Sequence, residues 1–183
     1  MEAHEAILNC TRLMAREKLD YRDVTLEGIS KGAGVAKTTI YRWWSQKVEL
    51  MREACLLGRV PCPNTGSLKG DLEELVRLEI EVQTSVASRP VIAGLLADLI
   101  ARSETPGFNE PCPYQAERYA ILTEIFDNAT ARGEWAGNLD LEATYETLFS
   151  MIFYRYIGLK KTFDDKQIAH FANRILQEAD LNK

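Results

Sequence analysis

Apolar residues recur along this chain at the three- and four-residue intervals of an α-helix, and no stretch alternates convincingly as a half-buried strand does. The clearest stripe lies in a first helix predicted over residues 2–18, where Ala3, Ile7 and Met14 share one face. The same periodicity predicts further helices at about residues 26–31, 36–43, 45–57, 71–88, 91–103, 114–132, 140–160 and 164–180. The pattern therefore predicts an all-α fold.

Breaks in this pattern divide the chain into two parts. Residues 59–70, RVPCPNTGSLKG, are rich in proline, glycine and polar residues, which is typical of a connecting loop. We predict an N-terminal helix-turn-helix domain over residues 1–47 and a second helical domain over residues 48–183. Asp164 and Gln167 have the spacing of a capping box at the start of the last helix.

The most informative segment is residues 25–47, TLEGISKGAGVAKTTIYRWWSQK. It predicts a short helix with Thr25 as its N-cap, a tight turn at Gly32 and Gly34, and a second short helix. A helical wheel places Ile40 with Trp44 on a buried side and Trp43 close to that side. The exposed side would carry amine, hydroxyl, phenol and guanidinium groups, from Lys37, Thr38, Thr39, Tyr41 and Arg42. Such groups suit base edges and phosphates.

The charge distribution supports contact with nucleic acid at this segment alone. The chain has a net charge of −5, but residues 1–60 hold ten Lys/Arg and eight Asp/Glu, so they carry +2 and the remainder −7. Residues 28–48 contain four basic residues and no acidic one. The acidic remainder argues against nonspecific binding of nucleic acid or anionic membranes by the whole molecule.

Other functional classes find little support in the sequence. The N-terminus lacks a basic start followed by an apolar run, and the most apolar stretch, residues 148–159, is too short for a membrane span and contains Arg155. A reducing cytoplasm is therefore the expected location. Four scattered cysteines and two distant histidines offer no metal-site spacing, and no nucleophile elbow or phosphate-binding loop occurs. We expect no enzyme activity, metal or cofactor.

The cysteines leave one alternative open. Cys10 fits the apolar stripe of the first helix, so a core role is the simpler interpretation. Cys62 and Cys112 fall in predicted loops, and a thiol-based sensor there is the competing interpretation.

The segment GVAKTTIYRWWSQKVEL, residues 34–50, resembles the signature of the TetR (tetracycline-repressor) family of bacterial transcription regulators. That signature is a Gly-Val turn, a helix of the form K-x-T-[LI]-Y-x-x-[FW], and then x-x-K-x-x-L. The matching positions are Gly34, Val35, Lys37, Thr39, Ile40, Tyr41, Trp44, Lys47 and Leu50. The resemblance covers roughly the first sixty residues; the rest is similar in its helical pattern, its length and the stretch ARGEW.

This resemblance implies a regulator, usually a repressor, that binds double-stranded operator DNA as a homodimer and responds to an unknown small-molecule effector. It implies that six residues line the DNA-facing side: Lys37, Thr38, Thr39, Tyr41, Arg42 and Trp43. Thr25 and Lys47 would contact phosphates at the starts of the second and fourth helices. The middle helices would enclose the effector and the last two would form the dimer.

The candidate residues of the second domain are apolar or aromatic and lie at helical spacing. For an effector pocket they are Leu95, Leu96, Leu99, Tyr119, Leu122, Phe126, Tyr145 and Phe149, although each fits an ordinary core position more readily. For a dimer interface built from two adjacent amphipathic helices they are Phe153, Tyr156, Ile168, Phe171 and Ile175.

Features that depart from the family pattern define the competing class, a helical ligand-binding or scaffold protein whose DNA head no longer functions. Gly28 and Gly32 lie in or beside the second helix, where an interior glycine costs roughly 1 kcal/mol relative to alanine. No basic arm precedes the first helix in this sequence. The basic residues Lys37, Arg42 and Lys47 favour a functional head instead.

Overall fold

The computed structural model describes residues 2–18, 20–56, 60–85, 88–102, 113–137 and 139–181. The regular structure within these ranges is helical, and none of these residues forms a strand. The predicted all-α fold is therefore confirmed for the part of the chain that is described.

Nine α-helices follow one another along these ranges, with a 3₁₀ turn at Tyr21–Asp23 and a π-helical turn at Tyr154–Gly158. The α-helices are α1 Glu2–Glu17, α2 Leu26–Ala33, α3 Lys37–Tyr41, α4 Lys47–Cys55, α5 Leu68–Thr84, α6 Ser88–Arg102, α7 Pro113–Ala131, α8 Leu141–Phe153 and α9 Asp165–Leu181. Each predicted helix has a counterpart in this order. The 3₁₀ turn was not predicted, because three residues are too few to show a period.

Several boundaries differ from the prediction for local reasons. α4 begins at Lys47 rather than near Ser45, because the Glu49 carboxylate accepts hydrogen bonds from the amides of Ser45 and Gln46, at 2.8 and 3.1 Å. α5 begins at Leu68, inside the predicted loop, where the Ser67 hydroxyl accepts from a first-turn amide at 3.1 Å. α3 is shorter than predicted.

The turn between α2 and α3 is closed at Gly34 as the sequence predicts, whereas Gly32, predicted to share the turn, lies inside α2. Thr25 caps α2, its hydroxyl accepting from the Gly28 amide at 3.1 Å. Gly34 has a φ of +67°, the left-handed conformation that glycine adopts without strain, and ends the helix. The Val35 amide then donates to the Ser30 carbonyl at 3.0 Å, and the Ser30 hydroxyl donates to the Val35 carbonyl at 2.6 Å.

The two glycines of α2 have a packing reason. A Cβ at Gly28 would lie 2.6 Å from Cε of Met14, and one at Gly32 would lie 2.5 Å from Sγ of Cys10. Both neighbours belong to α1, which packs against α2. The glycines thus permit the close approach of these helices.

One compact unit contains residues 1–59 and 83–114. In it α1 contacts α2 and α4, while α6 contacts α4, α1 and the 3₁₀ turn. Its buried apolar residues include Ile7, Leu8, Ala15, Val24, Ile29, Ile40, Trp44, Val48, Leu50 and Met51. Compactness therefore groups α4 and α6 with the first three helices. The boundary predicted at residues 47 and 48 follows the helix-turn-helix signature and stays a prediction.

The other compact unit contains residues 60–82 and 115–183, with α8 packed on α9. Its buried apolar residues include Leu72, Leu75, Val76, Leu122, Ile125, Phe126, Leu148, Ile152, Phe171 and Ile175. The capping box predicted at α9 is confirmed: the Asp164 amide donates to Gln167 and the Gln167 amide donates to Asp164, both at 2.9 Å.

Candidate nucleic-acid interface

The polar face of α3 is held outward by two buried anchors. Ile40 is 1% exposed and Trp44 is 4% exposed, so the predicted buried side of this helix is confirmed. The residues predicted to meet DNA are exposed or half-buried around it: Lys37, Thr38, Thr39, Tyr41 and Arg42. The structure thus brings hydroxyl, phenol and cationic groups together on one surface, which we call the α3 face. Their contacts with DNA stay a prediction.

Lys37 and Thr25 lie at helix starts, where phosphate contacts are common. The Lys37 ammonium forms an ion pair with the carboxylate of Glu27, on the exposed side of α2. An exposed pair of this kind contributes little to stability and can be exchanged for a phosphate. Thr25 is exposed and its hydroxyl is already used as the cap of α2.

Trp43 is 42% exposed, so it is partly buried, as its place close to the buried side of the helical wheel predicts. Its ring lies 5.4 Å from the guanidinium carbon of Arg42 and 5.3 Å from the ring of His4, at a steep 83°. Trp43 therefore lies at the end of the α3 face, in contact with one of its predicted base-reading residues.

His4 and Glu53 form a polar cluster under this end of α3 that sequence reasoning missed. The His4 ring stacks on Trp44 at 4.9 Å, and its Nε2 lies 3.2 Å from Oε1 of Glu53. The other carboxylate oxygen accepts a 2.7 Å hydrogen bond from Nε1 of Trp44. These residues are far apart in sequence, and no local pattern links them.

An open groove of about 900 Å³ borders Trp43 on the side of α1. Its lining residues are Glu2, His4, Glu5, Ala6, Asn9 and Trp43. Because Glu2 and Glu5 contribute negative charge, this groove is unsuited to phosphate and marks the edge of the surface that could face DNA.

Lys47, predicted to reach a phosphate, is held by Tyr21. Its Nζ donates a 2.7 Å hydrogen bond to the Tyr21 carbonyl and lies 3.7 Å from the centroid of the Tyr21 ring. Burial lowers the pKa of the Lys47 ammonium, and the charge of Asp20 opposes that shift. Lys47 is therefore a fixed, half-buried cation at the start of α4.

The pocket candidates fall into separate groups. The side chains of Leu95 and Leu99 lie outside the described residues, and Leu96 lies in the compact unit of α6. In the other unit, Tyr145 lies 5.0 Å from Tyr119 and 5.9 Å from Phe149, ring centre to ring centre. Leu122 and Phe126 are buried core residues of that unit.

The dimer candidates also divide by exposure. Ile168, Phe171 and Ile175 of α9 are at most 7% exposed within a single chain, whereas Phe153 and Tyr156 are half-buried. The most exposed apolar side chains nearby belong to three other residues of this segment: Tyr154, Ile157 and Leu159. Sequence periodicity did not single out Tyr154 and Ile157, because the π-helical turn shifts the faces of the helix.

A three-helix head that displays a short polar helix on buried anchors defines a helix-turn-helix DNA-binding protein. Residues 16–54 match a family described as bacterial regulatory proteins, tetR family, and residues 62–175 match one described as tetracyclin repressor-like, C-terminal domain. The chain therefore belongs to the TetR family of transcription regulators. Members of this family are DNA-binding proteins without enzymatic activity.

Relatives and a solved structure agree with this assignment. YdeS of Bacillus subtilis, named an uncharacterized HTH-type transcriptional regulator, is 30% identical over 161 residues, which are 84% of this chain and 78% of that protein. Rv1556 of Mycobacterium tuberculosis, named likewise, is 28% identical over 159 residues, 84% and 76% of the two chains. The crystal structure of the TetR family transcription regulator SCO0332 has a TM-score of 0.76 at 20% identity, covers 97% of this chain and 98% of its own, and shows the shared fold.

Two further observations concern the described residues only. No described helix is long and apolar enough to cross a membrane. No group of three or more His, Cys, Asp or Glu side chains among them could hold a metal ion.

Proposed function

We propose that this protein is a dimeric repressor that binds a palindromic operator and leaves it when a small-molecule effector binds. The observation that carries the proposal is the α3 face, where Thr38, Tyr41 and Arg42 are exposed over the buried Ile40 and Trp44. A rigidly anchored helix of this kind can enter a major groove, where Arg pairs with guanine and Thr or Tyr contacts a methyl group or phosphate. Such a regulator acts in the cytoplasm, where bacterial DNA is found.

The basic groups favour a functional head over a disabled one. Lys37 and Lys47 stand at the first residues of α3 and α4, where each can meet the DNA backbone. The packing of Gly28 and Gly32 against α1 removes one of the two arguments for a disabled head.

Dimerisation through α8 and α9 would place two heads at the spacing of operator half-sites. In a two-fold symmetric dimer the half-sites are about 34–36 Å apart or a multiple of that distance. Tyr154, Ile157 and Leu159 are the residues of this segment that would gain most burial, because they are 39–63% exposed in the single chain. Ile168, Phe171 and Ile175 would support that interface from within.

Effector release requires a ligand that binds the two states of the dimer with different affinity. The aromatic residues Tyr119, Tyr145 and Phe149 offer an apolar surface with phenol groups for such a ligand, between α7 and α8. A ligand that prefers a dimer with wrongly spaced α3 faces would free the promoter.

The test is selection of duplexes from a random DNA pool by the purified full-length protein, followed by fluorescence anisotropy across a salt series. The proposal expects a palindromic consensus, saturable binding and a steep salt dependence. Enrichment of no consensus, with binding no tighter than to random duplex, would reject it. Analytical ultracentrifugation of the free protein and of the complex tests the dimer separately.

A further inference from the structure

Gly94, within α6, lies against the ring of Tyr21. A Cβ at this glycine would be 2.3 Å from Cε2 and 2.4 Å from Cδ2 of the Tyr21 ring, closer than non-bonded carbon atoms approach. Glycine is unfavourable inside a helix, but at this position the absence of a side chain makes a close contact possible. It lets α6 rest directly on the 3₁₀ turn that carries Tyr21, within one compact unit.

The same tyrosine holds the ammonium group of Lys47 in two ways. Its ring lies 3.7 Å from Nζ, the arrangement of a cation–π contact, and its carbonyl accepts a 2.7 Å hydrogen bond from Nζ. Asp20, one residue earlier, adds a negative charge near Lys47 and is itself paired with Arg22 at 2.7 Å. The position of this cation is thus set by the 3₁₀ turn and not by its own flexible stem.

We propose that Tyr21 is a positioning residue that couples the placement of α6, through Gly94, to the Lys47 ammonium and so to the phosphate contact expected of Lys47. The proposal rests on the proposed operator-binding function for its effect on DNA. The coupling itself is a property of the free protein. Tyr21 acts through Lys47 and does not touch DNA.

This coupling links α6 to the start of α4. α6 lies within the residues that match the C-terminal family domain, 62–175, yet it packs in the compact unit that contains α1 to α4. Because α6 touches the Tyr21 ring at Gly94, a shift of α6 toward the ring must displace the ring. Because Lys47 is the first residue of α4, moving the ring moves the ammonium charge at the start of that helix.

Four variants of the full-length protein separate coupling from simple loss of structure. Tyr21→Phe keeps the ring and the carbonyl, whereas Tyr21→Leu removes the ring. Gly94→Ala adds a Cβ that would clash with the Tyr21 ring. In the double variant Tyr21→Leu/Gly94→Ala the ring is absent, so this clash cannot occur. Circular dichroism melts first establish that each variant is folded.

The DNA measurement is anisotropy with a duplex selected by the wild-type protein, across a salt series. Tyr21→Leu and Gly94→Ala should each weaken binding roughly sixtyfold at 0.1 M salt and lower the salt slope by about two, as expected for one lost phosphate contact in each protomer of the proposed dimer. Tyr21→Phe should retain wild-type binding. Adding Gly94→Ala to Tyr21→Leu should change nothing further, because coupled residues are not additive.

A second measurement requires no DNA. In protein labelled with ¹³C at the lysine ε carbons, the Lys47 signal is assigned by its absence in Lys47→Arg. We expect its ε protons to be shifted upfield by the ring in wild type and in Tyr21→Phe, unshifted in Tyr21→Leu, and displaced in Gly94→Ala.

The outcomes separate the two proposals. A Lys47 chemical shift that is the same in wild type, Tyr21→Leu and Gly94→Ala overturns the coupling. So does a Gly94→Ala change that weakens DNA binding equally in the presence and in the absence of the Tyr21 ring. If wild type selects no DNA, the operator function fails, and the lysine spectrum alone decides the coupling. Should Gly94→Ala not fold, Tyr21→Leu against Tyr21→Phe still decides it, since an unchanged salt slope in Tyr21→Leu rejects the proposal.

Discussion

Trp44 and Glu53 are joined by a 2.7 Å hydrogen bond from the indole Nε1 to a carboxylate oxygen, which ties the anchor of α3 to α4. The second oxygen of the same carboxylate lies 3.2 Å from Nε2 of His4 on α1. One side chain of α4 thereby holds the residue beneath the α3 face and the start of the first helix. Rigidity of this kind is what a DNA-reading helix requires.

Glu53→Ala should therefore destabilise the protein by about 1–3 kcal/mol, because it leaves the largely buried indole N–H of Trp44 without its acceptor. Chemical denaturation followed by tryptophan fluorescence measures the change. Glu5→Ala is the matched control, since its exposed pair with Arg12 contributes little. Equal stability of the two variants would show that Glu53 is dispensable.

Arg42→Ala should reduce operator affinity by roughly 1–3 kcal/mol per protomer and relax the preference at one base pair of each half-site, as expected for a guanidinium that reads guanine. Anisotropy with a set of singly substituted duplexes measures both effects. Arg22→Ala removes an exposed arginine outside the α3 face and should leave the base preferences unchanged. Uniform weakening on every duplex by Arg42→Ala would instead assign Arg42 to a phosphate.

The head could be predicted in detail because its signals are local. The Thr25 cap, the left-handed Gly34 and the buried Ile40 with Trp44 all follow from spacing within about twenty residues. Local propensity, turn chemistry and periodicity agree there, which is the condition under which sequence specifies structure most clearly.

What could not be predicted depends on contacts between distant segments. The hydrogen bond from Lys47 to the Tyr21 carbonyl joins residues 26 positions apart in the sequence. The hydrogen bond from Arg12 to the Ala54 carbonyl joins residues 42 positions apart. The packing of α6 against the N-terminal helices cannot be predicted from local periodicity. In the sequence, Gly94 is only a residue that disfavours a helix, and its contact with Tyr21 is not apparent. Such pairs become visible only when the helices are assembled.

Arg118 and Glu79 illustrate the same limit in the second unit. The Nε of Arg118 lies 2.5 Å from Oε1 of Glu79, and both side chains are at most 3% exposed. Glu79→Ala or Arg118→Met alone should cost about 3–5 kcal/mol, because each removes one partner of a buried ion pair and leaves the other charge in place.

The double variant Glu79→Leu/Arg118→Met should be markedly more stable than either single change, because both charges of this buried pair are removed together. Thermal melts by circular dichroism measure the series. A double variant that loses the sum of the two single effects would mean that the pair has no special coupling.

Cys62 should be a poor thiol sensor. Burial, together with the charge and hydrogen bond of Glu124, raises the pKa of Cys62 to about 11. At pH 8 its thiolate would be about a hundredfold scarcer than that of an ordinary cysteine, so alkylation by iodoacetamide should be slower by a similar factor. Peptide mass spectrometry separates Cys62 from the other cysteines and gives its rate.

The rate at Cys62 should then rise about tenfold per pH unit until pH 11, and Glu124→Gln should accelerate it at pH 8. Asp127→Asn, an exposed change on the same helix, is the control. Modification as fast as that of free cysteine would restore the sensor interpretation for this residue.

Asp71 should make the free energy of unfolding of the protein decrease at low pH. Its carboxylate is fully buried and accepts hydrogen bonds from the Thr65 hydroxyl at 2.8 Å and from Arg132 at 2.9 Å. Burial alone would raise the pKa of Asp71, but these bonds and that of the Thr65 amide outweigh it and lower the pKa below its usual value. The charged form is therefore the one that the fold stabilises.

A carboxyl whose pKa is lower in the folded than in the unfolded state adds to the free energy of unfolding. This stabilisation is fully present above the unfolded pKa, about 3.9, and is lost as the pH falls through the folded pKa. Asp71→Asn should thus lower the unfolding free energy by about 2 kcal/mol at pH 7, and the gap to wild type should shrink below pH 4. Urea denaturation of both proteins between pH 3 and 7 measures it, with Asp127→Asn as the exposed control. A gap that stays constant over this range would mean that the charge of Asp71 contributes nothing and that only its shape matters.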